Sequence, residues 1–286
     1  YELLRSLVGS EMCIRDRAKV YNPDFKYWQG VECAFYAAFY RVATLGSGAG
    51  VAAIYYFNER GVPYSKGTGL YTIEYMLHKV SIALFAGIFF ILNWGYMQKY
   101  YSQYDMTLLI GFGVTFVIAA VLLLFACSKK FHEVLLWIVR KLNRSGKLTE
   151  QVKKLEEQCA ILEDAAATLL KRGGLIAGCI LKNLLKFTFW YGIPFLILAE
   201  TGKLTLSQGL AVTSLAMMLA AVIPAPAGIG SSEFVLTMLL EKIVGTGAAG
   251  SVALLYRFAT FVLPFVIGAV VVVLWRRVHK STEKTA

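Results

Sequence analysis

The stretch IPAPAGIGSSEF, residues 223–234, comes directly after the apolar run LAVTSLAMMLAAV, and another apolar segment succeeds it. Two prolines, two glycines, two serines and a glutamate stand where a bilayer-crossing helix should continue. Proline withholds an amide donor and glycine loosens a helix. A carboxylate is costly in lipid. Irregular backbone survives at membrane depth only where protein or a water-filled cavity satisfies its free N–H and C=O groups. The stretch therefore predicts a broken helix beside a polar cavity inside a membrane domain.

The flanking sequence supports the membrane assignment. Of 286 residues, 57% are hydrophobic and 16% charged, against about a quarter charged in a soluble domain. The mean hydropathy is +0.59. Apolar runs reach the roughly 20 residues that cross a bilayer as a helix, so the expected fold class is an all-α multi-pass membrane protein. The net charge of +11 is not spread evenly. Residues 128–172 hold ten Lys/Arg against six acids, and Arg276, Arg277, Lys280 and Lys284 crowd the C-terminal end. The connections 98–105, 200–205 and 241–250 hold one basic residue each. By the positive-inside rule the central loop and the C-terminus face the cytoplasm, next to anionic lipid and not nucleic acid.

Residues 1–17, YELLRSLVGSEMCIRDR, are more polar than the segment after them and resemble translated sequencing-adapter sequence. They are expected to be foreign to the protein, whose native start then lies further upstream. The first membrane half is placed at 18–127, with a broken helix at 31–57, a polar connection at 58–69, and spans at about 76–97 and 106–127. A cytoplasmic basic segment occupies 128–173. Within it Leu148, Val152, Leu155, Cys159, Leu162, Ala166 and Leu169 form an apolar helical seam, suited to packing on the protein's own cytoplasmic face. FHEVLLWIVRKL, 131–142, is amphipathic and suited to an interface. The second half, 174–278, carries spans at 174–200, 206–226 and 250–275, an arm at 231–244 and the linker GTGAAG. A cytoplasmic tail, 279–286, completes the chain.

An offset of 180 residues relates the two halves. Gly46, Gly48 and Gly50 of TLGSGAG stand that far before Pro226, Gly228 and Gly230. Each cluster precedes a short apolar arm, a GTG, and a long apolar span with ionisable residues near its start: Glu74, His78 and Lys79 in one, Arg257 in the other. Paired interruptions in two halves mark transporter-type binding sites. The positions of the loops make the two broken units enter from opposite faces, as an inverted repeat would. Re-entrant hairpins and short full crossings fit the sequence equally.

Candidate lipid-path residues lie at these interruptions and in the apolar spans around them. Pro224 and Pro226 end the incoming helix, and Gly228 and Gly230 allow the turn. Ser231, Ser232 and Glu233 begin the next arm, placed to cap free amides. Lys182 and Lys186, four apart, share a helix face deep in an apolar span. Arg257 lies inside the last span, and Arg41 precedes Gly46, Gly48 and Gly50. Ionisable residues in membrane helices face the bundle interior, pairing or lining a pathway. Together these make a positively biased passage suited to a phosphate headgroup. An ion pair between Glu233 and Arg257 and snorkelling of the two lysines are the plainer roles.

The chain shows no catalytic motif, which favours a transporter over an enzyme. The five cysteines and three histidines form no metal-ligand pattern, and no cofactor is expected.

PAPAGIGSSEF, succeeded by LLYRFATFVLPFVIGAVVV, resembles the C-terminal signature of the lysylphosphatidylglycerol synthase transmembrane-region family. The matching positions are Pro224, Pro226, Gly228, Gly230, Glu233, Arg257, Pro264 and Gly268. RVATLGSGAGVAAIYYFNERGVPYSKGTG resembles the family's first-half segment, and the likeness covers most of 30–278. It implies a flippase-like protein that translocates or handles a polar phospho- or aminoacyl-lipid across the bacterial cytoplasmic membrane. Its partners would be membrane lipids, anionic or aminoacylated, and a separate soluble synthase. A membrane-embedded transferase, or a partner subunit acting on a lipid-linked substrate, stands as the alternative.

Overall fold

The computed structural model describes residues 14–102, 110–111, 113–118, 120–121, 124, 129–142, 149–169, 171–223 and 225–283. Pro224 and half of the expected span 106–127 lie outside these. The described residues form helices α1 (Tyr27–Ala43), α2 (Ala49–Glu59), α3 (Tyr64–Leu92), α4 (Trp94–Tyr101), α5 (Lys129–Leu142) and α6 (Thr149–Leu169). Then come α7 (Gly173–Leu198), α8 (Leu206–Ala220), α9 (Ser231–Val244), α10 (Thr246–Arg257) and α11 (Leu263–Glu283). Helices α10 and α11 run on through a π turn at Phe258–Val262.

Two helical runs, Tyr64–Leu92 and Thr246–Arg277, are long and apolar enough to cross a membrane. Their outward faces carry exposed Ile88, Ile91, Leu92, Leu254, Val266, Val270 and Val273, a surface suited to acyl chains rather than water. The broken arms are short. Helix α2 has 11 residues and α9 has 14, so each extends only about 16–21 Å, less than the roughly 30 Å hydrocarbon layer.

Several boundaries differ from those read in the sequence. Helix α3 begins at Tyr64, inside the stretch expected to be a polar connection. Pro63, with φ −54° and ψ 146°, precedes its first turn, a placement that costs no helical hydrogen bond. Gly67 and Gly69 belong to the helix and not to a linker. Gly69 lies so close to the Ala165 methyl that a Cβ would not fit, so its role is close approach of α6. The helix stops at Leu92, where the Asn93 amide donates to Phe89 O at 2.9 Å and to Ser207 Oγ at 2.9 Å. In GTGAAG, Gly245 alone forms the turn, at φ +85°, and α10 starts at Thr246.

Helix packing is reciprocal. Hairpin α1–α2 precedes long helix α3, and hairpin α8–α9 precedes the long helix α10–α11. Each long helix also packs on the first arm of the other unit: α3 on α8, and α11 on α1. Helices α1 and α11 run antiparallel. Phe39 stacks on Phe265 with ring centres 5.4 Å apart, and Gly268 sits against Phe35 O with no room for a Cβ. One core joins Leu215, Leu236, Leu239 and Val252, and another joins Phe25, Tyr56, Phe57, Leu70 and Trp275. The seam of α6 is internal: Leu162, Ala166 and Leu169 pack on Ile73, Leu77 and Cys179.

Candidate functional site

The two interrupted segments meet. Residues 44–48 join α1 to α2 and residues 221–230 join α8 to α9. Gly46, at φ +106°, lies against the backbone of Ala227. The two positive-φ residues other than glycine among the described residues are Leu45 and Ala227, both at φ 53° and one in each turn. An L-residue in this region costs about 1–2 kcal/mol, so the surrounding structure must hold both turns.

At the Ala227 turn that support comes from Glu233 and Arg257. Glu233 Oε1 pairs with Arg257 Nε at 3.1 Å. Oε2 accepts from the Gly230 amide at 3.0 Å and from the Ser232 hydroxyl at 2.7 Å. Arg257 Nη2 donates to Ala227 O at 3.1 Å, and its guanidinium lies 3.9 Å from the Phe261 ring centre. The glutamate thus caps α9 while the arginine ties the strained turn to the long helix. Pro226 opens a short 3₁₀ turn, and Gly228 and Gly230 take φ +70° and +84°. Ser231 and Ser232 do not cap amides: the Ser231 hydroxyl donates to Gly228 O at 3.3 Å, and the Ser232 hydroxyl shares its one proton between Glu233 Oε2 and Gly228 O, the latter 3.0 Å away.

Arg257 ends α10, and the π turn begins at once. Pro264 explains that widening, because it has no N–H for the Thr260 carbonyl and its ring would crowd it. The freed segment turns Thr260, Phe261 and Pro264 toward a cavity of about 200 Å³ between α1, α2, α3, α7 and this turn. Small residues of α1 and α2 leave the room, among them Cys33, Ala37 and Ala53. Arg41, Glu74 and Lys186 bring ionisable groups to its wall, and His78 brings an imidazole. Lys186 is 5% exposed. Its ammonium lies 3.3 Å from His78 Nδ1 and 5.8 Å from the Trp190 ring centre. Arg41 makes no ion pair among the described residues.

Of the candidate lipid-path residues read in the sequence, Arg41 and Lys186 line this cavity together. Lys182 does not line it and pairs with Asp16. Glu74 pairs with Arg17 at 3.1 Å. Asp16 and Arg17 both belong to the stretch expected to be foreign. Gly48 and Gly50 shape the hairpin: the Gly48 amide donates to Thr44 Oγ1 at 2.6 Å, and Gly50 presses on the Tyr71 ring. Glu74 and His78, absent from the lipid-path residues proposed on sequence, line the cavity too. Their signal is that of ionisable residues four apart in an apolar run. Trp190 and Tyr71 carry no such signal.

Residues 19–268 match the model of the family described as lysylphosphatidylglycerol synthase TM region. The chain belongs to this family. No curated protein matches it, and no solved structure does. The family is a transmembrane region, and the long apolar helices agree with it: the protein is an integral membrane protein. Six family-like positions named in the sequence, Gly228, Gly230, Glu233, Arg257, Pro264 and Gly268, all fall at the turn, the ion pair, the π turn or the close contact of α1 with α11.

Proposed function

We propose that the protein moves or handles a polar lipid with a phosphate-bearing headgroup, anionic or aminoacylated, across the bacterial cytoplasmic membrane. The observation that carries this reading is the cavity enclosed by the first broken hairpin, α3, α7 and the π turn. It places Arg41 and buried Lys186 on one wall system, with small and aromatic residues around them. Two cations in a low-dielectric cavity favour an anion far more than they would in water, and a phosphate accepts hydrogen bonds from both. The aromatic rings offer apolar contact for the glycerol and acyl regions.

The helical hairpins are read as re-entrant, one from each face, since the second arm of each is too short to span. Reciprocal packing of each long helix on the opposite hairpin supports an inverted repeat. In such folds the substrate site lies near mid-membrane, between the repeats. The basic segment around α5 and α6 and the C-terminus are placed in the cytoplasm by their charge. A soluble synthase supplying the lipid would act on that side.

The test is a leaflet-resolved lipid assay in cells carrying the wild-type chain or the Arg41→Gln, Lys186→Gln double variant. Lost outer-leaflet exposure, with unchanged total lipid and unchanged monodisperse yield in detergent, supports translocation. Unchanged leaflet distribution refutes it. A fall in the amount of the lipid itself would instead mark a transferase or its partner subunit.

A further inference from the structure

Helix α5 presents two faces of opposite character. On one side it is fixed to α6: His132 Nδ1 meets Glu163 Oε1 at 3.1 Å, Lys129 Nζ stands 3.5 Å from Glu163, and Arg140 Nε donates to Glu156 at 3.0 Å. On the other side lie Lys130, Val134, Trp137, Ile138 and Lys141. Their spacing of i, i+4, i+7, i+8 and i+11 sets them in one stripe. Val134, Trp137 and Ile138 are 55%, 60% and 42% exposed. Lys141 Nζ lies 4.8 Å from the Trp137 ring centre. Neither Lys130 nor Lys141 makes an ion pair among the described residues. Glu133, at the edge of the stripe, is the single acid of the helix against four Lys/Arg.

The position of α5 matters as much as its pattern. Glu163, which holds the start of α5, adjoins Asp164, which pairs with Lys66 in the first turn of α3. The helix therefore begins beside the point where α3 enters the apolar layer. We propose that the Lys130–Val134–Trp137–Ile138–Lys141 face lies on the anionic lipid surface surrounding the protein. Tryptophan and aliphatic side chains would sink into the headgroup–acyl boundary, while the two lysines at the rim meet lipid phosphates. A soluble protein partner or a second copy would need acidic complementarity to the same rim, and four of the five acids of α6 are already paired within the chain: Glu150 with Lys154, Glu156 with Arg140, Glu163 with Lys129 and Asp164 with Lys66. The inference does not depend on the cavity's carrying lipid.

The full chain reconstituted in phosphatidylcholine vesicles, with or without phosphatidylglycerol, tests this. A photo-crosslinking residue replaces Trp137 (Trp137→benzoylphenylalanine), with exposed Glu157 on α6 as the control position. The expected result is a lipid adduct at 137 several-fold above that at 157, raised by phosphatidylglycerol. Lys130→Gln and Lys141→Gln should each lower that gain by roughly five-fold at low salt. An adduct between two copies, equal adducts at both positions, or indifference to phosphatidylglycerol would each overturn the proposal. An environment-sensitive fluorophore on Ile138→Cys gives an independent readout, blue-shifted by phosphatidylglycerol if the face is docked and unmoved if it is not.

Discussion

Gly46 lies against the backbone of Ala227: a Cβ on the glycine would stand 3.2 Å from the Ala227 amide nitrogen and 3.4 Å from its Cα. This contact joins two turns 181 positions apart in the chain. It holds the two turns against each other, at positions where neither is in regular helix. Gly46→Ala adds a methyl group at φ +106°, where L-residues are strained, and pushes it into that backbone. The expected loss is at least about 1–2 kcal/mol, seen as a lower melting temperature in detergent. Gly95→Ala, which meets nothing within 4 Å, should not reproduce it.

Glu233 and Arg257 should depend on each other. Each is less than a quarter exposed, at 23% and 17%. Removing one partner of a fully buried pair costs about 3–5 kcal/mol, and this pair, partly wet, should cost less. Arg257→Gln should be the more damaging single change, since it also releases Ala227 O. Glu233→Gln keeps an acceptor for the Gly230 amide. A double-mutant cycle on thermal stability should give a coupling of about 0.5–3 kcal/mol. Strictly additive losses would show that the pair is not a unit.

The two lysines of α7 are expected to part company. Lys186 faces the cavity and His78, whereas Lys182 faces Asp16. Lys186→Gln should abolish lipid movement and Lys182→Gln should leave it within about two-fold of wild type. That expectation rests on the cavity wall in which Lys186 alone of the two takes part. Equal losses in the leaflet assay would place both on one path.

The α5–α6 contact should respond to acid. Its hydrogen bond to His132, with help from Lys129, holds the Glu163 carboxyl below its ordinary value. A carboxylate whose folded pKa is depressed contributes stability above its unfolded pKa and loses it as pH falls through the folded one. The window therefore lies at and below the usual carboxylate range. Paired spin labels at Glu133 and Glu157 should report a longer distance there than at neutral pH. Glu163→Gln should remove the pH dependence.

Orientation can be read with impermeant thiol reagents. Burial raises the Cys159 thiol above its ordinary pKa, and Cys33 and Cys179 are buried as well, so all three should react slowly. With Cys13 and Cys127 replaced by serine, Glu157→Cys should stay unlabelled in intact cells and Gly247→Cys should label. The opposite pattern would invert the assigned topology.

Much of this molecule is legible as sequence because lipid imposes simple rules. Long apolar runs had to be helices, and prolines and glycines at 223–230 had to break one of them. Glu233, three residues past Gly230, has the spacing of a helix cap, and it caps. The seam of α6 has helical spacing and finds an internal partner. Short-range terms of this kind are carried by residues a few positions apart, so a linear reading captures them.

Other features could not be read that way. Gly67 and Gly69 look like a linker because glycine permits a bend; the approach of Ala165 makes Gly69 a helix contact instead. Lys182 and Lys186 share a helix face, yet neighbours distant in sequence send one to the cavity and the other elsewhere. The sequence alone determined the membrane class, the broken segments and the residues bearing charge, since each arises from local composition and helical period. The tertiary structure decided that the two turns touch at Gly46 and Ala227, and that Arg41, Glu74, His78 and Lys186 face one cavity, because those contacts depend on how separately formed helices pack side by side.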